Sequence, residues 1–450
     1  MKRKCKHVDV TDVNTIKPWV EDCLRRHKKR YDFRRLILEH GIDKSTYEKA
    51  IAEKDFSLLL PVVANIAEDA AYRISIRKLE LKPVRIREQQ DKTTGKIRMI
   101  GCEDAMQQVF DYIAVNSCKE IWDARINIQQ CSSIPGRGQI YGMSLIKKYV
   151  KADERAMRYA RKHRKRYVRK CAYHTKLDVK KCFPNARLEN FMRLFKRDCA
   201  NEDIVWLWEE LLMSHRVEGY QGFMIGALVS QWAAQYMLSF LYRKAMEIRY
   251  RDKKAVGRMV MFMDDMLLTG RNRKALLYAV KELIGYAKEV LGFEIKENFA
   301  IHGLKATGID MMGYVVHQNG KVEIRSRNFI KARRIMIRWK AKGKLTLSQA
   351  KRLASYKGFF KHSDYSGKFT IFKYAQSVIS KAEGGKKNAV STVFRATGKA
   401  AVPQTKRRDG RGVAQKGHQR KRRGRTGRNT DNDMGSQRSH DSNAALKGGN

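Results

Sequence analysis

The chain has 450 residues and a mass of 52.2 kDa, which is enough for two or three compact subdomains. Its 95 lysine and arginine residues outnumber 46 aspartate and glutamate residues, which gives a formal charge of +49. This charge favours a polyanionic partner, above all a nucleic acid, although a ribosomal-type basic protein would have a similar charge. The eight cysteines lack zinc-binding spacing and the N-terminus lacks an apolar signal core, which argues against a zinc module and for reduced thiols in a cytosol-like compartment.

The N-terminal part of the chain is predicted to form basic helices and then a hairpin. Residues 1–60 have the apolar spacing of amphipathic helices. Residues 81–88 and 96–100 alternate apolar and polar side chains, and the segment 91–95 between them is typical of a turn. The sequence therefore predicts a β-hairpin that carries basic side chains on one face.

Further elements follow along the chain. The patterns predict a helix at 107–118, a loop at 131–138, a helix at 143–152, a strand at 174–183, helices to about 215, a strand–turn–strand centred on 262–266, a helix at 272–291, short strands near 309–317 and 321–325, and basic helices over 328–382. Helices are thus expected to alternate with short strands.

A very basic run covers residues 153–170, and Tyr159 and Tyr167 interrupt its charges. Such a run is commonly a solvated helix face. Aromatic side chains between the charges also suit a surface that tracks phosphates and stacks on bases. We therefore expect nucleic-acid contact here, with the plain solvated face as the alternative.

An uncharged stretch, Phe223 to Tyr242, has the 20-residue length of a membrane span. It contains Ser230, Gln231 and Gln235, however, and it interrupts a highly cationic chain. We therefore expect a buried core helix and no membrane partner.

The composition changes near the C-terminus. Residues 386–450 contain 17 lysine and arginine residues, four aspartates and one aromatic residue, Phe394. Such a segment cannot bury a core, so it is predicted to be disordered. It would serve as an RNA-tethering arm or as a solubilising tail with no specific role.

Two apolar strand patterns end in carboxylates. One leads to Asp178, and the other leads to Asp264 and Asp265 and then continues as an apolar strand. Unpaired carboxylates in such runs would cost several kcal/mol if buried, so a bound cation is expected to compensate them. Pairing the two strands in one sheet would bring Asp178 and Asp264 together, with Asp265 on the turn.

This constellation favours a specific metal and reaction. Carboxylate oxygens are suited to Mg²⁺ rather than zinc. Two such ions can activate an attacking hydroxyl and stabilise a leaving pyrophosphate. The alternative for Asp264 and Asp265 is an ordinary pair of turn residues, since aspartate is common in turns.

Six motifs in order resemble those of reverse transcriptases. Residues 262–265 resemble the aromatic-x-Asp-Asp box, and residues 178–183 resemble the first carboxylate box with its following aromatic. The remaining four, at 94–98, 133–138, 291–296 and 312–315, resemble the fingers hairpin, the next fingers loop and two palm-closing segments. The resemblance covers roughly residues 80–380.

The resemblance implies an α+β right-hand polymerase with fingers, a palm of antiparallel sheet backed by helices, and a helical thumb. It implies a basic helical N-terminal extension at 1–60, fingers at 61–173, a palm at 174–318 with a fingers insertion near 191–222, a thumb at 319–382 and a disordered basic tail at 383–450. Its expected ligands are an RNA template, a DNA or RNA primer and deoxynucleotides.

The resemblance also assigns roles to the carboxylates. Asp178, Asp264 and Asp265 would be catalytic and would hold two Mg²⁺ ions, with the carbonyl of Val179 assisting.

Other residues would bind the nucleotide. Arg98 would contact the triphosphate, and Lys96 and Lys296 are further candidates for contacting phosphate or protonating pyrophosphate. Phe183 would lie beneath the sugar, where its ring clashes with a 2′-hydroxyl and so favours deoxynucleotides. The alternative for Phe183 is a core aromatic residue.

The box between the carboxylates indicates a subgroup. Most reverse transcriptases have Gln-Gly-x-x-x-Ser-Pro there, whereas this chain has Ile225-Gly226 followed by Ser230-Gln231, with Gln221 an unrelated glutamine upstream. This form resembles the enzymes of diversity-generating retroelements. Apolar Ile225 and polar Gln231 would change the floor of the nucleotide pocket, and looser control of the templating pair is expected.

Members of that subgroup copy a template-repeat RNA, misincorporate opposite adenine and work with a small basic accessory protein. They are encoded by bacteria or phages and act in the host cytosol. The alternatives are a defence-associated enzyme of the abortive-infection type, a group II-like reverse transcriptase, or a catalytically silent RNA-binding protein on a polymerase scaffold.

Overall fold

The computed structural model describes residues 2–90, 95, 97–217, 220, 222–365 and 370–383. They belong to one compact unit that spans Met1–Pro403. The predicted disordered tail from residue 384 onward, and Lys96 and Gln221, lie outside the described residues.

Helices make up most of the described chain, as the sequence predicts. They are α1 (Val13–His27), α2 (Tyr31–Glu39), α3 (Lys44–Glu53), α4 (Leu60–Ser75), α5 (Ala105–Ser117), α6 (Lys119–Arg125), α7 (Gln139–Lys162), α8 (Cys182–Asn185), α9 (Leu188–Asp198), α10 (Glu202–Met213), α11 (Leu228–Glu247), α12 (Arg273–Tyr286), α13 (Ser326–Lys342), α14 (Leu347–Lys361) and α15 (Thr370–Glu383). Side chains cap the N-termini of several helices. Asp12, for example, directly precedes α1 and accepts from Thr15 N at 3.0 Å.

Strands form four separate sheets in the described part of the chain. They are β1 (Arg85–Gln90), β2 (Ile97–Cys102), β3 (Gln130–Cys131), β4 (Tyr173–Asp178), β5 (Arg249–Tyr250), β6 (Lys253–Lys254), β7 (Arg258–Phe262), β8 (Asp265–Gly270), β9 (His302–Gly303), β10 (Ile309–Met311), β11 (Tyr314–Val316) and β12 (Val322–Ile324). The predicted hairpin is confirmed, because β1 and β2 pair antiparallel from Arg85–Cys102 to Gln90–Ile97.

The central sheet has five strands in the order β3-β7-β8-β4-β9. The sequence predicted an antiparallel sheet, but β3 pairs with β7 in parallel, so the sheet is mixed. Met261 N donates to Gln129 O at 2.9 Å, and Met263 N donates to Cys131 O at 3.2 Å. The chain between β3 and β7 includes the helices α7 to α11, so it has the length that a parallel connection requires.

Helix α11 forms the middle of the main core. Its fully buried residues include Ala233, Tyr236 and Leu241, and aromatic residues of α9 and α10 such as Phe191 and Trp208 pack around it. The helix begins at Leu228 rather than at the predicted Phe223, because the preceding segment is extended. Among the helices that the structure describes, none is long and apolar enough to cross a membrane.

The C-terminal part has a core of its own. Strands β10, β11 and β12 form an antiparallel sheet. Helices α13, α14 and α15 follow it and bury Trp339, Leu353 and Ala375 in a separate cluster. The predicted strands and basic helices of this part are therefore present, with three short strands where two were expected.

Candidate active site

The three candidate carboxylates come together at one end of the central sheet. Asp178 is the last residue of β4, Asp265 is the first of β8, and the two are direct partners across the strands. Asp264 lies in the turn between β7 and β8, after Met263, whose φ of 53° puts it in the left-handed region. The sequence analysis paired Asp178 with Asp264; the two-residue turn shifts the register by one residue and puts Asp265 opposite Asp178 instead.

The carboxylate of Asp178 lies beside a lysine. Its Oδ1 atom is buried. The ammonium group of Lys296 forms an ion pair with this oxygen without hydrogen-bond geometry. The backbone fixes that lysine, because Lys296 N donates to Asp178 O at 2.9 Å and Lys180 N donates to Glu294 O at 2.7 Å.

Electrostatics at this end of the sheet favour a cation. Burial raises the pKa of Asp264 to about 6, and the neighbouring charges of Asp265 and Asp178 add to the rise while Lys296 opposes it. Burial and the charge of Asp178 also raise the pKa of Asp265. Crowded carboxylates that resist ionisation are stabilised as anions when a cation is bound.

The three carboxylates are the candidate ligands of a metal ion at this end of the sheet. Within the described ranges, no group of three or more His, Cys, Asp or Glu side chains is arranged to hold a metal ion as it stands. The chemistry nevertheless fits a hard divalent cation, because all three side chains are carboxylates and burial raises the pKa values of Asp264 and Asp265.

Val179 and Phe183 lie directly after the first carboxylate. Val179 is buried, and its N donates to Asp264 O at 3.3 Å, which joins the two carboxylate segments. Phe183 is half-buried, packs against the main core, and accepts from Phe223 N at 2.8 Å through its carbonyl. A Cβ on Gly222 would lie 2.4 Å from the carbonyl oxygen of Phe183, so the two segments touch backbone to backbone.

The box that contains Ile225 is joined to the β1–β2 hairpin. Gly101 N donates to Ile225 O at 2.8 Å, and Ile100 forms a parallel bridge with Ile225. Gly226 has a φ of +119°, and a Cβ there would lie 2.7 Å from Gly101 O. Arg98 is exposed on β2 of this hairpin.

Two further candidate residues are placed less tightly. Gln231 is half-buried in the first turn of α11, and its side chain has no hydrogen-bond partner in the described part of the chain. Lys96 lies outside the described residues. The structure thus brings together Asp178, Asp264, Asp265 and Lys296 at one end of the sheet.

A buried polar chain supports the box, and the sequence analysis did not find it. His215 Nε2 lies 2.8 Å from Glu103 Oε1, and His215 Nδ1 lies 3.2 Å from Ser230 Oγ. Burial raises the pKa of Glu103 to about 8 and lowers the pKa of His215. These directions favour a neutral chain in which the Glu103 carboxyl donates to Nε2 and the Nδ1–H donates to the Ser230 hydroxyl.

Two other buried polar residues hold α11 in place. Asp111 Oδ2 accepts from Leu228 N at 2.9 Å and from Val229 N at 3.1 Å, and so caps the start of the helix. Gln235 Nε2 donates to the carbonyls of Cys131 at 3.0 Å and Ser132 at 2.8 Å, and so holds the loop after β3. Gln235 lies in the uncharged stretch from Phe223 to Tyr242, so a polar residue in an otherwise apolar helix was the sequence signal for such a contact.

Comparisons with known proteins bear on this geometry. A family model described as reverse transcriptase (RNA-dependent DNA polymerase) matches residues 87–316, just over half of the chain. No curated protein matches the sequence. Similar solved structures include apo telomerase from Candida tropicalis truncated from its C-terminal domain, at 14% identity and a TM-score of 0.38, covering 64% of this chain and 72% of that chain.

Another is telomerase from Candida albicans in complex with a fragment of telomeric RNA, at 12% identity and a TM-score of 0.39; the alignment covers 67% of this chain and 58% of that one. These structures are only distantly similar, whereas the family model spans the hairpin, both carboxylate segments and the box between them. The chain therefore belongs to the reverse transcriptase family and is an RNA-directed DNA polymerase.

Proposed function

We propose that Asp178, Asp264 and Asp265 are the catalytic carboxylates of this polymerase and hold two Mg²⁺ ions, with the carbonyl of Val179 assisting. The observation that carries the proposal is the direct pairing of Asp178 with Asp265, with Asp264 in the adjoining turn. When bound, the ions would supply activation of the primer 3′-hydroxyl and neutralise charge on the leaving pyrophosphate.

The chain's own residues then have distinct tasks. Lys296 is held beside Asp178 by a backbone hydrogen bond of 2.9 Å, so its ammonium group lies where it can contact a phosphate or donate a proton to the leaving pyrophosphate. Arg98 on β2 would bind the triphosphate, and Lys96 is a further candidate for this contact. A basic hairpin is well suited to this task because guanidinium and ammonium groups pair strongly with phosphate oxygens.

Phe183 is proposed to select deoxynucleotides. Its half-buried ring follows Asp178 by five residues, and its backbone contacts the segment that leads into the box. A rigid ring beneath the sugar leaves no room for a 2′-hydroxyl. The backbone contact to Phe223 would fix the main chain that carries the ring, and packing against the core would limit the movement of the ring itself.

The domain assignment is part of the proposal. The N-terminal extension would cover 1–60, the fingers 61–173 and the palm 174–318, with a fingers insertion near 191–222. The thumb would cover 319–382. The mixed central sheet, with the carboxylates at one end and α11 beneath it, supports the palm, and the separate helical core after β12 supports the thumb.

We infer further that the enzyme belongs to a diversity-generating retroelement and copies a template-repeat RNA into mutagenised cDNA. The observation that favours this subgroup is the placement of Ile225, which is half-buried and hydrogen-bonded to Gly101 in the hairpin that carries Arg98. An apolar residue at this point gives the templating pair no hydrogen bond. Gln231, without a partner in the described residues, is free to bond to substrate.

The subgroup would also imply a small basic accessory protein as partner and the cytosol of a bacterial cell as location. A defence-associated enzyme of the abortive-infection type is the second candidate function. It would extend DNA without a template, and a group II-like enzyme would copy RNA accurately.

Primer extension tests these proposals. The protein is supplied with a primed RNA, Mg²⁺ and dNTPs, with and without the accessory protein, and the cDNA is sequenced. Errors concentrated opposite adenine are the expected result, and Ile225→Gln should reduce them. Accurate products would retain the polymerase and overturn the diversification role, and products made without template would favour the defence-associated function.

A further inference from the structure

A strongly cationic surface lies away from the carboxylates. It surrounds a cavity of about 660 Å³ beside the short β5–β6 hairpin. The cations that line this cavity are Lys170, Arg249, Arg251, Lys253, Lys254, Arg258 and Arg271, and we call them the cationic face. The lining includes a single carboxylate, Asp252.

The cationic face lies at the opposite end of the central sheet from the catalytic carboxylates. Arg258 begins β7, and Phe262 ends it beside the catalytic turn. Arg258 pairs with Thr269 near the far end of β8, whereas Asp265 begins that strand. A strand of five residues is about 15 Å long, so the two sites are well separated.

The charges of the cationic face are not neutralised by the protein. None of its seven side chains forms an ion pair with a carboxylate in the described part of the chain. Two acids of the nearby helix α7 are used elsewhere: Asp153 accepts from Tyr167 Oη at 2.8 Å and from Cys171 N at 2.7 Å, and Glu154 pairs with Arg169 at 2.7 Å. Repulsion among so many like charges is a cost that a bound polyanion removes.

The basic end of α7 continues the same surface. Lys170 ends the basic run that starts in α7, and its carbonyl would lie 2.4 Å from a Cβ on Gly257, directly before β7. The guanidinium group of Arg258 lies 5.1 Å from the ring centre of Tyr149 in α7. The run from 155 to 166, between Tyr149 and Lys170 in the chain, contains seven more lysine and arginine residues and no acid.

Aromatic rings accompany these charges. Tyr159 is 56% exposed near the end of α7. Tyr250 lies in β5 and has the guanidinium group of Arg251 at 5.5 Å from its ring centre. Phosphate-binding side chains interleaved with rings that can stack on unpaired bases are typical of surfaces that bind single-stranded nucleic acid without sequence preference.

We infer that the cationic face and the basic end of α7 bind a single-stranded segment of the template RNA that lies outside the catalytic site. The inference rests on the RNA-directed activity and not on the proposed subgroup. Contacts go to the phosphate backbone, so they tolerate any sequence while the template is drawn toward the carboxylates. The surface would keep a long template bound between successive additions.

The test compares a neutralised cationic face with a matched control. Arg251→Gln, Lys253→Gln and Lys254→Gln are combined in one variant, since all three residues are exposed. The control combines Lys44→Gln, Lys49→Gln and Lys54→Gln, which removes the same charge from exposed positions in and after α3. Both sets are built in the otherwise intact full chain.

Binding is measured by fluorescence anisotropy, with a single-stranded RNA of about 60 nucleotides and with a short primed template of about 12 base pairs. We expect the cationic-face variant to bind the long RNA about tenfold more weakly or worse near physiological salt, and the slope of log K against log salt to fall by about 2 to 3. The short primed template should bind and be extended as before.

Several outcomes would overturn the inference. One is an equal loss in the control variant, which would show that net charge alone matters. Others are unchanged binding of long RNA, or a face that binds an acidic polypeptide such as poly-glutamate while ignoring RNA. If the variant fails to fold, Lys170→Gln combined with Arg271→Gln replaces it. Failure of the wild type to extend the short template would count against the proposed catalytic site and leave this binding result intact.

Discussion

The two ends of the central sheet carry opposite charge and are built differently. At one end Asp178 and Asp265 face each other across β4 and β8, and burial and mutual repulsion raise the pKa of Asp265. At the other end Arg258 and Arg271 lie among exposed cations that have no carboxylate partner in the described residues. The same strands thus connect a small anionic site to a broad cationic surface.

The difference in construction matches the roles proposed for the two ends, which are catalysis at the carboxylates and RNA binding at the cationic face. The carboxylate end is fixed by backbone hydrogen bonds, such as that from Lys296 N to Asp178 O, and by the buried chain of Glu103, His215 and Ser230. The cationic end consists of long side chains on a two-stranded hairpin. Catalysis needs fixed ligands, whereas sequence-independent binding of a flexible strand needs charge and reach.

The largest effect is expected at the carboxylate end. Asp264→Asn removes a charge that would stabilise the metal ions, which are worth several kcal/mol in the transition state, so extension should slow on the order of 10³-fold. RNA binding should change little. Asp252→Asn, at the cationic end, is the matched control and should leave the extension rate unchanged. Comparable losses in both variants would contradict the separation of the two ends.

The buried polar chain should matter more to stability than any histidine at the cationic end. His215→Leu would leave the Glu103 carboxyl and the Ser230 hydroxyl buried without partners, which should lower the free energy of unfolding by about 2 to 4 kcal/mol. The exposed His163 gives the control, since His163→Leu should cost no more than about 0.5 kcal/mol. Urea denaturation measures the stability of both variants. Equal midpoints would show that the hydrogen bonds of His215 do not stabilise the protein.

The same chain should make stability depend on pH. Burial, with Asp104 adding and Arg30 opposing, raises the pKa of Glu103 from 4.5 to about 8. Between these values the folded protein keeps a proton that the unfolded chain has released. The protonated Glu103 carboxyl therefore makes its full contribution to the free energy of unfolding below pH 4.5. This contribution is lost at about 1.4 kcal/mol per pH unit as the pH rises towards 8.

Glu103→Gln imitates the protonated carboxyl and should remove this slope. Denaturation of the variant and the parent at several pH values between 5 and 8 measures it, and parallel curves would exclude the assignment. Asp111 and His215 face the same chain and are unchanged in the variant, so they contribute to both curves.

The smallest predicted effect concerns the sugar. Phe183→Ala should raise incorporation of ribonucleotides relative to deoxynucleotides roughly tenfold. Removing the ring relieves a clash with the 2′-hydroxyl, and such steric discrimination amounts to only about 1 to 3 kcal/mol. Phe183→Tyr keeps the ring and should keep the selectivity. Competition assays with mixed nucleotides provide the measurement, and an unchanged ratio in the alanine variant would make Phe183 a core residue only.

The sequence was informative wherever a local pattern met unusual chemistry. Asp264 and Asp265 are conspicuous because acids interrupt an apolar strand, and the hairpin of β1 and β2 has alternating strands around a turn. The register was harder to predict. Whether Asp264 or Asp265 faces Asp178 depends on the left-handed backbone of Met263, and a methionine gives no hint of such a conformation.

Long-range contacts left no local pattern at all. Glu103 and His215 are 112 residues apart, and Asp111 caps a helix that starts 117 residues later. The two-residue strand β3 is too short to have a periodicity, so its parallel pairing with β7 could not be predicted. The late start of α11 follows from the bridge between Ile100 and Ile225, which is also a tertiary effect.

The contact between Gly101 and Gly226 has a mechanical consequence. Because both residues lack side chains, two backbones meet directly, and a methyl group at position 226 would lie 2.7 Å from the Gly101 carbonyl oxygen. The hairpin that carries Arg98 cannot tilt at its base without pulling on Ile225. If Arg98 binds the triphosphate and Ile225 lies under the templating pair as proposed, a displacement of the hairpin would shift both residues together.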